Sequence, residues 1–195
     1  LMAPWPFADH SIDGIYASHV LEHLPDHLHF FREAWRVLTD LHLMRLRVPY
    51  GGSRMAWCDP THLRPWFPES FAFLQPGYSD AVNNPQHDAW THYFVVESAS
   101  LRVNRQVRHT LRWKWLYHLV QPYLRCVPDM IDEVWADLYA VKDPAAVQMW
   151  AARRPGNVVP TRWIMDKDAW QLTPHNPEGW GELLDVSRRL VVAAF

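Results

Sequence analysis

Apolar positions along the chain change their spacing several times, and each change marks an element. Residues 12–17, IDGIYA, are a short apolar run with a β-branched start, the pattern of a parallel strand covered on both faces. From Asp26 the period shifts: Leu28, Phe31, Trp35 and Leu38 recur at spacings of three and four, while Arg32, Glu33 and Arg36 fall mostly elsewhere, which predicts an amphipathic helix. Pro25 suits the first turn of that helix. In HLMRLRVPY, residues 42–50, Met44, Leu46 and Val48 alternate with Arg45 and Arg47 up to Pro49, so a second strand follows. Strand, helix and strand in this order make a βαβ unit with a right-handed crossover.

Residues 51–68 hold two Gly and three Pro among polar residues, which predicts a long loop ending in a short helix from Pro68 to about Leu74. Polar residues 75–89 lead to THYFVVESASLRVN, read as one strand or a bent hairpin. LRWKWLYHLVQPYLRCV is helix-like around Pro122, and EVWADLYAVK reads as the last strand. Beyond Lys142 the pattern predicts a short helix in DPAAVQMWAARRPG, an irregular Pro-punctuated stretch, and a closing helix in WGELLDVSRRLVVAAF. The organisation expected is an α/β domain over residues 1–142 and a C-terminal extension over 143–195.

At 195 residues with 49% apolar and 21% charged content, the chain can bury a sizeable core and is not a disordered polypeptide. A net charge of -2 offers no global attraction to nucleic acid or an anionic membrane. Two cysteines, Cys58 and Cys126, fit a reducing compartment, and no apolar run is long enough for a membrane span; the expectation is a cytoplasmic protein. Twelve Trp, 12 His and 16 Pro against only 7 Gly favour aromatic packing and leave few positions suited to positive φ.

One stretch carries a recognisable pattern. PFADHSIDGIYASHVLEHLPDHLHFFREAWRVL resembles the second half of class I S-adenosylmethionine-dependent methyltransferases, in which strand four runs into SHVLEHL and a helix ending E-x-x-R-V-L. DPTHLRPWFPESFAFL resembles a block after strand five in one bacterial branch of that family, and EVWADLYAVK resembles its final antiparallel strand. The resemblance spans roughly residues 4–142. It implies an incomplete doubly wound, Rossmann-like sheet: parallel strands, an antiparallel C-terminal strand pair, and a helical or irregular tail. The family's first βαβαβ half, with its Gly-rich cofactor loop and ribose-binding acid, takes about 60 to 80 residues and has no counterpart here. The chain thus reads as a fragment, a processed product or one half of a split protein. Its first strand would show a bare edge, to be covered by residues 143–195, a second chain or a second copy. A second departure is Asp40-Leu41-His42, which stands where the family has a Pro-Gly-Gly turn, a place that favours positive φ.

The resemblance places cofactor contacts at Ser18, His19 and Val20 on the strand tip and at Leu1, Met2 and Phe7 on the adenine side; Phe7 and Val20 fit core packing equally well. Its cofactor is S-adenosylmethionine, held weakly or not at all by this chain alone, since each lost charge-assisted hydrogen bond costs about 1 to 3 kcal/mol. Catalytic candidates are His19, Asp59 and His62. A neutral imidazole can take a proton from an acceptor, with Asp59 orienting His62; alternatively, Asp-Pro-Thr-His forms an Asx-turn. His19, His23 and His27 recur every four residues, but Pro25 interrupts the helix and no carboxylate completes a ligand set, so no metal is expected. Glu22 and His23 are read as fixing the strand–helix junction by hydrogen bonds. Arg102, Arg105, Arg108, Arg112 and Lys114 with Trp113 and Trp115 read as a solvated face rather than a nucleic-acid site. The functional expectation is methyl transfer to oxygen or nitrogen on a small molecule or glycan. The alternative is a non-catalytic remnant that binds or assembles.

Overall fold

A computed structural model describes residues 3–78, 90–110, 116, 119–153, 159–164 and 190–194. Six strands form one mixed sheet. They are β1 (Ile12–Ser18), β2 (Leu38–Pro49), β3 (Phe94–Val103), β4 (Ile131–Ala140), β5 (Thr161–Ile164) and β6 (Leu190–Ala194), and their spatial order is β5-β3-β4-β2-β1-β6. β1 is parallel to both β2 and β6, β4 is antiparallel to β2 and β3, and β5 is parallel to β3. The helices are α1 (His27–Val37), α2 (Arg105–Thr110) and α3 (Pro144–Arg153), with 3-10 turns at Leu21–His23, Arg54–Ala56, Pro68–Leu74 and Gln121–Cys126. No helix among the described residues is long and apolar enough to cross a membrane. Cys58 and Cys126 are free and exposed.

The β1–α1–β2 unit follows the hydrophobic pattern closely. Asp26 caps α1, its side chain accepting from the His29 N–H at 2.8 Å, so Pro25 precedes the cap instead of occupying the first turn. The buried face of α1 runs through Phe30, Phe31, Ala34 and Val37, with Leu28 and Trp35 at its margins. Burying each large apolar side chain there contributes about 1.5 to 3 kcal/mol. It packs on the sheet face made by Met44, Leu46, Val134, Ala136 and Leu138. Leu38 does not extend the helix; it is the first residue of β2, which begins with no intervening loop.

On the other face, β2 and β4 carry paired charges. Arg45 makes a bidentate pair with Asp137 (2.6 and 2.9 Å), and Arg47 makes one with Glu133 (2.8 and 2.6 Å). This ladder of half-buried charges follows from the strict alternation of β2 against β4.

Beyond Lys142 the structure departs from the sequence reading. The stretch expected to be irregular contains β5, EVWADLYAVK is not the last strand, and the apolar end of the expected closing helix is β6. β6 lies in parallel register along β1, from Gly14 opposite Leu190 to Ser18 opposite Ala194. The outer edge of β1 is therefore occupied by a strand of the same chain, within the segment expected to cover it. The helix-like reading around Pro122 is a 3-10 turn at Gln121–Cys126, and residues 111–115 lie outside the described set.

Candidate functional site at the ends of β1 and β2

Past Ser18 the chain must leave the sheet sharply. His19 does so with φ of 54°, its N–H donating to the Arg47 carbonyl at 2.8 Å, and the 3-10 turn Leu21–His23 then leads into α1. A non-glycine residue in the left-handed region is uncommon and marks a position fixed by its surroundings. The long loop after β2 folds back over this junction, tied by the Leu63 N–H donating to the Glu22 carbonyl at 2.7 Å. Between them lies a cleft of about 880 Å³ that includes His19, Glu22, His23, Cys58, Asp59 and His62 in its lining.

His19 sits between two carboxylates, with Nδ1 3.2 Å from Glu22 Oε1 and Nε2 3.4 Å from Glu133 Oε1. Burial pulls its pKa down, but Glu133 and Glu22 together outweigh that and raise it to about 9. His19 therefore holds its proton at neutral pH and suits donation better than acceptance. Glu133 also accepts from Arg47, from Arg102 Nη1 at 2.9 Å and from Trp135 Nε1 at 2.9 Å. Burial alone would raise the Glu133 pKa, yet His19, Arg47 and Arg102 drive it far below the usual carboxylate range. Arg102, expected on a solvated basic face, is instead buried in this network. Arg112, Trp113, Lys114 and Trp115 lie outside the described residues, and of the Arg108 side chain nothing is described.

Asp59 Oδ1 accepts from the Thr61 N–H at 2.8 Å and from Thr61 Oγ1 at 2.7 Å, which is the Asx-turn alternative. These bonds lower its pKa. Its Oδ2 lies 3.9 Å from His62 Nε2, so the turn also leaves a carboxylate oxygen facing the imidazole. His62 and His23 pack edge to face with ring centroids 4.7 Å apart. His27 points elsewhere: its Nε2 bonds the Leu21 carbonyl at 2.9 Å and its ring lies against Trp66. The every-four histidine spacing is therefore not a cluster in space. Glu22 acts on the junction in two ways: its carboxylate faces the His19 imidazole at 3.2 Å, and its backbone carbonyl ties down the loop. His23 Nδ1 bonds Thr61 Oγ1 at 2.9 Å.

The positions assigned to cofactor contact are dispersed. Ser18 and Val20 are buried at 4% and 0% exposure, and Phe7 is 37% exposed and apart from the cleft lining. Leu1 and Met2 lie outside the described residues. Of the described positions only His19 opens to the cleft. The sequence reading passed over Glu33, which is buried and bonds the Trp5 N–H at 2.6 Å and the Arg36 guanidinium at 2.8 and 3.0 Å. Arg36 in turn binds the carbonyls of Trp5 and Phe7 and the Asp9 carboxylate. Its signal was the E-x-x-R spacing itself, which puts both side chains on one helix face.

The model of the methyltransferase domain family matches residues 2–40. No curated protein matches the sequence. Among solved structures, a SAM-dependent methyltransferase from Archaeoglobus fulgidus aligns at 14% identity over 68% of this chain and 61% of its own, with a TM-score of 0.41. The YcgJ protein of Bacillus subtilis aligns at 13% identity over 71% and 68%, with a TM-score of 0.39. The chain thus spans about three fifths of the first of these proteins. The match to the methyltransferase-domain model takes in β1 and all of α1 and ends at the start of β2.

Proposed function

We propose that the chain is the acceptor-side portion of a methyltransferase that acts on an oxygen or nitrogen of a small molecule or glycan. The observation that carries this reading is the cleft at the C-terminal ends of β1 and β2, the edge of an open α/β sheet where ligands bind, lined by groups that can hold and move a proton. His62 takes the proton of the acceptor hydroxyl or amine at Nε2, Asp59 steadies the imidazolium, and His19 supplies a hydrogen bond as a cation. S-adenosylmethionine would supply the methyl group. The described residues do not form a cradle for it, since Ser18 and Val20 are in the core and Phe7 is away from the cleft. We therefore propose weak or no cofactor binding by this chain alone, and derive no step through the cofactor. Calorimetric titration with S-adenosylmethionine tests this: millimolar or undetectable affinity is expected, and a micromolar dissociation constant refutes it.

That same dispersal favours a second reading, a non-catalytic module that binds the acceptor or a second chain. The two readings separate in one assay. Methyl transfer from labelled cofactor, restored when a cofactor-binding methyltransferase half is added, supports the enzyme; binding without transfer supports the module.

A further inference from the structure

Glu22 is 1% exposed, and neither of its carboxylate oxygens has a hydrogen-bond partner among the described residues. His19 Nδ1 lies 3.2 Å from Oε1 and meets that side of the carboxylate, while Oε2 has no partner among the described residues. A buried carboxylate oxygen left without a partner is costly to keep. Two imidazoles converge on the same point: ligand atoms of Glu22, His23 and His62 all lie within 4.8 Å of one another.

The hydrogen bonds behind both rings set their tautomers. Thr61 Oγ1 donates to Asp59, so it must accept from His23 Nδ1–H at 2.9 Å. The Ala56 carbonyl can only accept, so His62 donates to it from Nδ1 at 3.2 Å. Both rings are left with the lone pair on Nε2. Metal-binding histidines are oriented in this way, one nitrogen held by a carbonyl or a carboxylate relay and the other presented to the ion. The other charged groups at the cluster are His19 and Asp59, while Arg47 and Arg102 are engaged by Glu133.

We propose that Glu22, His23 and His62 bind a divalent first-row transition-metal ion, with its remaining coordination positions open to the cleft. Two imidazoles and one carboxylate form the set found in open catalytic zinc sites and in non-haem iron(II) sites. The site stands independently of methyl transfer, because ion binding requires no cofactor. An oxygen acceptor coordinated there would become more acidic and lose its proton to solvent in the open cleft, so that His62 would not be needed as the base while it holds the ion.

Titration of the full chain with Zn(II), followed calorimetrically, and with Co(II), followed by visible absorption, tests the proposal without any cofactor. The expected result is saturable one-to-one binding and a Co(II) spectrum of imidazole and carboxylate ligation. Thr61→Val removes the bond behind His23 together with the hydroxyl's bond to Asp59, leaves all three ligands in place, and should weaken binding about 10- to 100-fold. Glu22→Gln and His62→Gln should weaken it further, with circular dichroism verifying the fold; if either fails to fold, Thr61→Val decides. A folded wild type that binds neither ion in one-to-one ratio, or a Thr61→Val chain that binds as tightly as wild type, overturns the assignment.

Discussion

Glu133 takes hydrogen bonds from Arg47, Arg102 and Trp135 and faces His19 at 3.4 Å. Removing it strands two guanidinium groups with little access to water. Glu133→Ala should therefore destabilise the fold by about 3 to 5 kcal/mol in urea denaturation. Glu33 offers a sharper test. Hydrogen bonds from Arg36, opposed by burial and aided by the Trp5 N–H, lower its pKa from 4.5 to about 2. A depressed carboxylate stabilises the fold fully above its unfolded value near 4.5, and that contribution fades as the pH drops toward 2. Glu33→Gln should cost about 1.5 to 3 kcal/mol at neutral pH, and the gap from wild type should close in acid; equal slopes for both proteins between pH 4.5 and 2 would disprove the assignment. The sequence showed Glu33 and Glu133 only as polar positions, because burial of a carboxylate depends on which partners the fold brings to it. Those partners come from distant strands in the case of Glu133.

Among elements, α1 was legible because its period is long enough to be unambiguous and Asp26 begins it as an acidic cap should, while β1 was legible as a short apolar run followed by that helix and an alternating strand. The departure at Asp40-Leu41-His42 was legible in part, though these residues lie within β2 and form no turn. Leu41 has φ of 58° and lies exposed inside β2, so the strand runs through a position that an L residue enters at a cost of about 1 to 2 kcal/mol. Leu41→Gly removes that strain, and thermal unfolding should show a gain of up to about 1 kcal/mol after the added chain entropy of glycine. The cleft was legible residue by residue but not as a constellation. His23 and His62 are brought together by the loop that closes on Glu22, a contact for which no local spacing gives a signal.

For the molecule as a whole, the sequence pointed to a sheet needing cover at β1 but not to the strand that supplies it. LVVAA is too short an apolar run to distinguish strand from helix by period, and here long-range pairing decides. In a parallel ladder alternate residues bond each neighbour, so one of Val191→Pro and Val192→Pro removes a bond to β1 while the other spares the ladder more. The two variants should differ in unfolding midpoint; identical, wild-type-like midpoints for both would argue against the pairing. The Gly14–Leu190 register also has a kinetic meaning. A nascent β1 leaves the ribosome long before its outer neighbour has been synthesised, and closing so wide a loop slows folding. Throughout that interval the cell must shield an unpaired strand, so production of this protein should depend on chaperone capacity more than that of a chain whose neighbouring strands are consecutive.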